Sequence, residues 1–199
     1  MASRGIFICI EGLDGCGKTT QAKLLVRRLK KTREAIYTAE PSKGEIGKLV
    51  KKCYLHAEKR GSSTVEALLF AADRMEHLKN EVLPALDNGK TVVSDRYVFS
   101  SLAYQGAAGL DLTWIEKINE QAIRPDLAVF IDVEPKTVIH RLKRKRSVME
   151  NMQTQLLVRE VYLKYVELGK LARIDGNKPK REVSRDLFNL VKDYLAKTH

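Results

Sequence analysis

Ile6-Phe7-Ile8-Cys9-Ile10-Glu11-Gly12-Leu13-Asp14-Gly15-Cys16-Gly17-Lys18-Thr19-Thr20 decides how the chain is read. Its first five residues are apolar without alternation, the mark of a strand buried on both faces. Residues 12–19 then follow the pattern G-x-x-x-x-G-K-T, in the strand–loop–helix setting that the pattern requires. From Lys18 to Lys31, Ala22, Leu25, Val26 and Leu29 recur at helical spacing. Glycines let the backbone curl so that its N–H groups face a phosphate chain, and the helix that follows adds the positive end of its dipole. Lys18 can reach the outer phosphates, and the Thr19 hydroxyl can hold Mg²⁺. Gly12, Leu13, Asp14, Gly15, Cys16, Gly17, Lys18, Thr19 and Thr20 are therefore expected to bind a nucleoside triphosphate.

Outward from this loop, short apolar runs alternate with amphipathic ones. Ala35–Ala39, Lys90–Asp95, Leu127–Val133 and Leu171–Ile174 read as further strands. Helical spacing marks Glu45–Tyr54, Thr64–Leu83 (halted or kinked near Pro84), Phe99–Gln105, Leu112–Ala122, Asn151–Leu168 and Glu182–Ala196. Another helix opens at Pro135, where the missing N–H costs nothing. Strands spaced by helices imply βαβ units: an α/β fold with a parallel sheet of about five strands, flanked by helices on both faces. Without repeat or linker, residues 1–199 are expected to form one domain.

Lys and Arg outnumber Asp and Glu by 36 to 25, giving a net charge of +11, which favours polyanionic ligands without choosing among them. The three cysteines, Cys9, Cys16 and Cys53, are odd in number and fit no zinc spacing, so they are expected to be reduced thiols in a cytoplasmic protein. No run approaches the roughly 20 apolar residues of a membrane span, and the opening apolar run is too short for a signal peptide. Asn177-Lys178 lacks the Asp that a guanine reader of the form Asn-Lys-x-Asp needs, which argues against a GTPase.

The remaining candidates suit an anionic acceptor. A nucleoside hydroxyl needs a general base, whereas a phosphate monoester is already anionic near neutral pH, its second pKa being roughly 6. The four histidines, His56, His77, His140 and His199, lie in no recognisable catalytic motif. Asp95-Arg96 ends a strand, where open α/β sheets bind ligands; Arg96 can fork to phosphate oxygens and Asp95 can organise Mg²⁺ through water. Phe70 and Arg74 share a helix face, as do Ser101 and Gln105. Their residue types alone allow a packed Phe70, a solvated Arg74 and a surface helix through Tyr104, and Asp14 could simply stabilise its turn.

Taken with the phosphate loop, Leu69-Phe70-Ala71-Ala72-Asp73-Arg74, Asp95-Arg96-Tyr97, Ala103-Tyr104-Gln105-Gly106 and Arg124-Pro125-Asp126-Leu127 stand in an order and spacing that resembles thymidylate kinase. The resemblance implies the P-loop nucleoside monophosphate kinase fold, transfer of the γ-phosphoryl of ATP to dTMP to give dTDP and ADP with Mg²⁺, and a homodimer. It implies that Phe70 stacks on thymine and Arg74 reads its edge. Ser101, Tyr104 and Gln105 would meet the far side of the base and the sugar 2′ position, and Asp14 the 3′ oxygen. Glu40 joins the substrate side, although Ala39 and Ser42-Lys43 depart from the Arg and glycines that the family carries around Glu-Pro.

The basic stretch Lys136–Arg146 then reads as part of a lid over ATP, centred on residues 141–150, with Arg144, Arg146 and Arg141 as catalytic cations beside Lys18 and Arg96. Gly15 stands where family members with a loop arginine carry it, and a basic lid complements that. Two alternatives accompany this reading: a deoxynucleoside kinase with Glu40 as base, and a non-enzymatic P-loop ATP-binding protein associated with nucleic acid, which the main reading does not expect as a partner.

Overall fold

The structure, a computed structural model, describes residues 4–55, 61–141 and 152–197. Its organising strand is β1 (Phe7–Gly12), every residue of which is buried. Such a strand must be paired on both edges and covered on both faces, and it is. It runs parallel to β3 (Thr91–Asp95) on one side and to β4 (Leu127–Asp132) on the other. With β2 (Ala35–Ala39) beyond β3 and β5 (Ala172–Asp175) beyond β4, the order is β2-β3-β1-β4-β5, all parallel. Register places Ile10 opposite Asp95 and Gly12 opposite Ile131, so the ends of three strands converge where the phosphate loop begins.

Parallel pairing demands crossovers, and the helices supply them. The first is α1 (Lys18–Leu29), which buries Ala22, Leu25, Val26 and Leu29, the stripe expected from sequence. Lys23, Arg27 and Lys30 stay exposed on its outer face. Next come α2 (Glu45–Val50), continued by a π-helical turn at Lys51–Leu55, and α3 (Ser63–His77). A second π-helical turn, Leu78–Val82, joins α3 to α4 (Leu83–Asp87). Pro84 therefore does not halt the helix: the widened turn ahead of it accommodates the ring and the missing donor.

Two pairs of helices flank the sheet, α1 with α9 (Lys180–Lys197) and α5 (Val98–Ala107) with α8 (Met152–Glu167). The Arg28 guanidinium lies 3.7 Å from the Phe188 ring centroid, joining α1 to α9. In the other pair, Phe99 meets Tyr165 edge-on at 5.4 Å, and Phe130 of β4 stacks on Tyr162 at 4.7 Å. Between them, α6 (Leu112–Ile118) is capped by Asp111 and stops four residues short of the expected end. Asn119 ends it: its Nδ2 turns back to the Ile115 carbonyl at 2.8 Å. The short α7 (Pro135–Arg141) opens at Pro135 as expected.

Arg124-Pro125-Asp126-Leu127 lies at the opposite end of the sheet from the phosphate loop. Asp126 accepts from the Phe7 N–H at 2.7 Å and donates its own N–H to the Phe7 carbonyl at 2.8 Å, a two-way clasp on the start of β1. Cys9 and Cys16 are buried and Cys53 is exposed, all as free thiols. Among the described residues no helix is long and apolar enough to cross a membrane.

Candidate active site

The loop between β1 and α1 is built by backbone geometry. Gly12 sits at φ 150, and a Cβ there would lie 2.7 Å from Cys16 Sγ and 2.8 Å from the Ile131 carbonyl oxygen. Gly17, at φ 100, starts α1 from the left-handed region. That helix has no side-chain cap and no acidic residue in its first turn, so its first N–H groups are left for an anion. Lys18 is 5% exposed, and its Nζ donates to the Leu13 carbonyl at 2.8 Å, across the loop.

Thr19, on the first turn of α1, donates its hydroxyl to Asp95 Oδ2 at the end of β3. The Tyr37 hydroxyl also approaches that oxygen, at 3.4 Å. Burial, with the Asp95 charge second, pushes the Tyr37 phenol up to about 12. Asp95 is 6% exposed, and its Oδ1 is buried without a hydrogen-bond partner among the described residues. An orphaned carboxylate oxygen beside a threonine hydroxyl fits a hard cation. Among the described residues no three His, Cys, Asp or Glu side chains form a metal cluster.

Arg96 follows Asp95 with φ 75, the one non-glycine at positive φ among the described residues. A side chain there costs of order 1–3 kcal/mol and persists only where its surroundings fix it. Here the Arg96 N–H donates to the Ile10 carbonyl at 3.0 Å, and Ser94 Oγ donates to the Arg96 carbonyl at 2.7 Å. Its Nη2 donates to Asp14 in the phosphate loop, and its Nη1 to Ser100 Oγ at 2.9 Å. Tyr104 closes the cluster: its hydroxyl donates to Asp14 Oδ2 at 3.0 Å, accepts the Asp14 N–H at 3.0 Å, and its ring faces the guanidinium at 4.8 Å. Burial works against the Asp14 charge, but Arg96 and Lys18 outweigh it and hold the carboxyl below the usual range. Expected site residues from the loop, the β3 end and α5 thus meet in one place.

Arg74 is 1% exposed, so the solvated-face alternative is set aside. Its Nε and Nη2 donate to Glu40 Oε2 at 3.0 and 2.7 Å, Nη2 also to Ser101 Oγ at 3.1 Å, and Nη1 to Asn119 Oδ1. Those four bonds leave one of the five guanidinium N–H groups, on Nη1, for another acceptor. Glu40 Oε1 lies 3.3 Å from His77 Nδ1, and His77 Nε2 lies 2.6 Å from Thr38 Oγ1. Phe70, one turn before Arg74, is half-buried and lies outside the packed core, so core packing does not explain it. Gln105 is buried, its Nε2 donating to Glu66 at 3.0 Å while its Oε1 has no partner among the described residues. Ser101, Tyr104 and Gln105 are all buried, so this stretch of α5 is not a surface helix.

Asn119 and His77 enter this site without having been expected. No local pattern marks Asn119, which reaches Arg74 across 45 residues of sequence. His77 stands three residues after Arg74 on α3, a spacing that could have flagged it. Of the lid cations, Arg141 is the exposed last residue of α7. Arg144 and Arg146, with the rest of 142–150, lie outside the described residues.

A phosphate loop running into a helix on a β2-β3-β1-β4-β5 sheet, with a guanidinium from the β3 end tied into the loop, defines a P-loop nucleotide kinase. The family model described as thymidylate kinase matches residues 10–187. A probable thymidylate kinase of Pyrococcus horikoshii is 44% identical over 96% of this chain and 98% of its own. Those of Thermococcus gammatolerans and Pyrobaculum calidifontis are 44% and 40% identical over the same shares. The chain belongs to the thymidylate kinase family, and it is an enzyme of the nucleoside monophosphate kinase type.

Proposed function

We propose that the protein transfers the γ-phosphoryl group of ATP to dTMP. A phosphate oxygen of dTMP attacks the γ-phosphorus, the bond from that phosphorus to the β,γ-bridging oxygen breaks, and ADP leaves with its electron pair as dTDP forms. The observation that carries this reading is the Arg96–Asp14 contact, which fixes an acceptor-side cation against the donor-phosphate loop. Reaction by alignment and charge needs no general base. Lys18 and the loop N–H groups would hold the donor, Arg96 the oxygens between donor and acceptor, and Asp14 with Tyr104 the sugar. Phe70, Arg74, Ser101 and Gln105 would hold the base: the spare Arg74 N–H suits a thymine carbonyl, and the partnerless Gln105 Oε1 suits a ring N–H. Mg²⁺ at Thr19 and Asp95 would neutralise charge on the donor phosphates.

Glu40 does not favour the deoxynucleoside kinase reading. Its side chain is 2% exposed, with one oxygen on Arg74 and the other facing His77, away from the reach a hydroxyl-activating base requires. The test is a coupled ADP-release assay with ATP–Mg²⁺ and dTMP, dUMP, dCMP, dGMP, AMP and thymidine in parallel. Selective turnover of dTMP is expected. Turnover of thymidine without dTMP would move Glu40 to the base role. Silence with every acceptor, with DNA binding that falls steeply with salt, would favour the non-enzymatic reading.

The proposed setting is one kinase domain over residues 1–199, cytoplasmic, acting as a homodimer. Val65, Leu68 and Met75 form a stripe along α3 that is 47%, 46% and 40% exposed, with Leu49 of α2 at 45%. Apolar surface aligned in this way suits burial against a second copy. Sedimentation at micromolar concentration is expected to give a dimer, and Leu68→Lys to give a monomer.

A further inference from the structure

Glu11 is the one charged residue of β1, fully buried and unused by the chemistry above. Its Oε1 accepts the Tyr97 N–H at 2.9 Å. Its Oε2 accepts Ser100 Oγ at 2.6 Å and the Tyr162 hydroxyl at 3.2 Å. The same Ser100 oxygen accepts from Arg96 Nη1 at 2.9 Å. The carboxylate therefore grips the residue after Arg96 through the backbone and Arg96 itself through one hydroxyl. It does so at the single turn, among the described residues, where a non-glycine is held at positive φ.

We propose that Glu11 is a positioning residue for phosphoryl transfer, holding the β3–α5 turn and, through Ser100, aiming the Arg96 guanidinium at the transfer site. The inference rests on the proposed kinase reaction. A buried carboxylate with three donors and, among the described residues, no cation in direct contact contributes little to stability alone, because desolvating it is costly. Its neighbours fit that description. Lys18 on α1 and Arg96 in the turn act on it from a distance. Tyr162 on α8 and Cys9 on its own strand bring no positive charge, and its partner in β4 is the apolar Phe130.

Burial raises the Glu11 carboxyl from 4.5 to about 7, against the pull of Ser100, Arg96, Tyr162 and Lys18. Since the folded value lies above the unfolded one, the folded state binds the extra proton below about pH 7, and folding stability from this group falls as pH rises from about 4.5 through about 7. Protonation also turns an acceptor into a donor facing two hydroxyls and an N–H, so the grip on Ser100 and Tyr97 loosens as pH falls.

Glu11→Gln keeps the shape and removes the charge. Expected is a kcat for dTMP lower by about 10- to 100-fold, the scale of a slightly misplaced transfer group, with KM for ATP within about twofold. Its melting temperature at about pH 8 should equal or exceed wild type, because a buried charge has gone. From about pH 6 to about pH 9, wild-type kcat should rise through a limb near 7 that Glu11→Gln lacks, leaving only the limb of the acceptor phosphate. Ser100→Ala should lower the same parameter, and the double variant should lose less than the product of the two singles. Wild-type kcat and an unchanged pH profile in Glu11→Gln would overturn the proposal, as would a loss that follows a lowered melting temperature. A wild-type protein inactive on dTMP would overturn the functional reading first, and this one with it.

Discussion

Arg96→Lys is expected to lower kcat for dTMP phosphorylation by roughly 10²–10³-fold, the effect of removing one fixed donor from a developing negative charge. A lysine keeps the charge, but not the fork that reaches Asp14 and Ser100 together. Arg96→Ala should be at least as slow. Backbone strain separates chemistry from folding here. Arg96 holds φ 75, which alanine tolerates no better than arginine, whereas glycine does so freely. Arg96→Gly should therefore melt above Arg96→Ala while being equally inactive. A lysine variant with near wild-type kcat would show that Arg96 supplies charge at most, and the acceptor geometry proposed here would fail.

Arg74→Met is the second large effect, and it is read in stability. The Arg74–Glu40 pair is almost wholly buried, with side-chain exposures of 1% and 2%. Removing one partner of such a pair leaves a buried charge uncompensated, a cost of about 3–5 kcal/mol. For a chain of this size that lowers the melting temperature by on the order of 10 °C. The Asn119 amide, a hydrogen bond of the Ser101 hydroxyl and the ring of Tyr97, 5.2 Å from the guanidinium, lose their partner in the same step. Glu40→Gln added to Arg74→Met should recover part of the loss by removing the orphaned charge. Thermal melts of the single and double variants measure this, and KM for dTMP should rise in both. If Arg74→Met melted with the wild type, the pair would not be the buried anchor described above.

These two residues also show where sequence stops being readable. The phosphate loop is local: strand, glycines, lysine and helix occupy fifteen consecutive positions, so pattern and geometry coincide. The strand edges of β1 and the buried stripe of α1 follow from periodicity for the same reason. Arg74 differs. Helical spacing puts it on a face with Phe70, but whether that face meets solvent depends on Glu40, 34 residues away, and Asn119, 45 residues away. Glu66, Asp73, Arg74 and His77 make α3 look solvated in composition, yet all four are buried, because their partners arrive from other elements. Glu11 was visible as the single charge in an apolar strand; its purpose depends on a turn eighty-five positions later. The helix through Pro84 needed knowledge of a widened turn that no residue preference announces.

The bracing of α1 by α9 has a consequence for how the protein comes into being. Gln21 Nε2 donates to the Lys180 carbonyl at 3.1 Å, and Arg28 lies over Phe188, so the helix carrying Lys18 and Thr19 leans on α9. The strand before it needs β3 and β4 on its two edges. During synthesis the phosphate loop and α1 therefore emerge ahead of β3, β4 and α9, the elements that complete their seat. Contacts of such long sequence separation close late, so a ribosome-bound chain stalled before α9 would display the whole loop motif and still lack a braced seat for ATP.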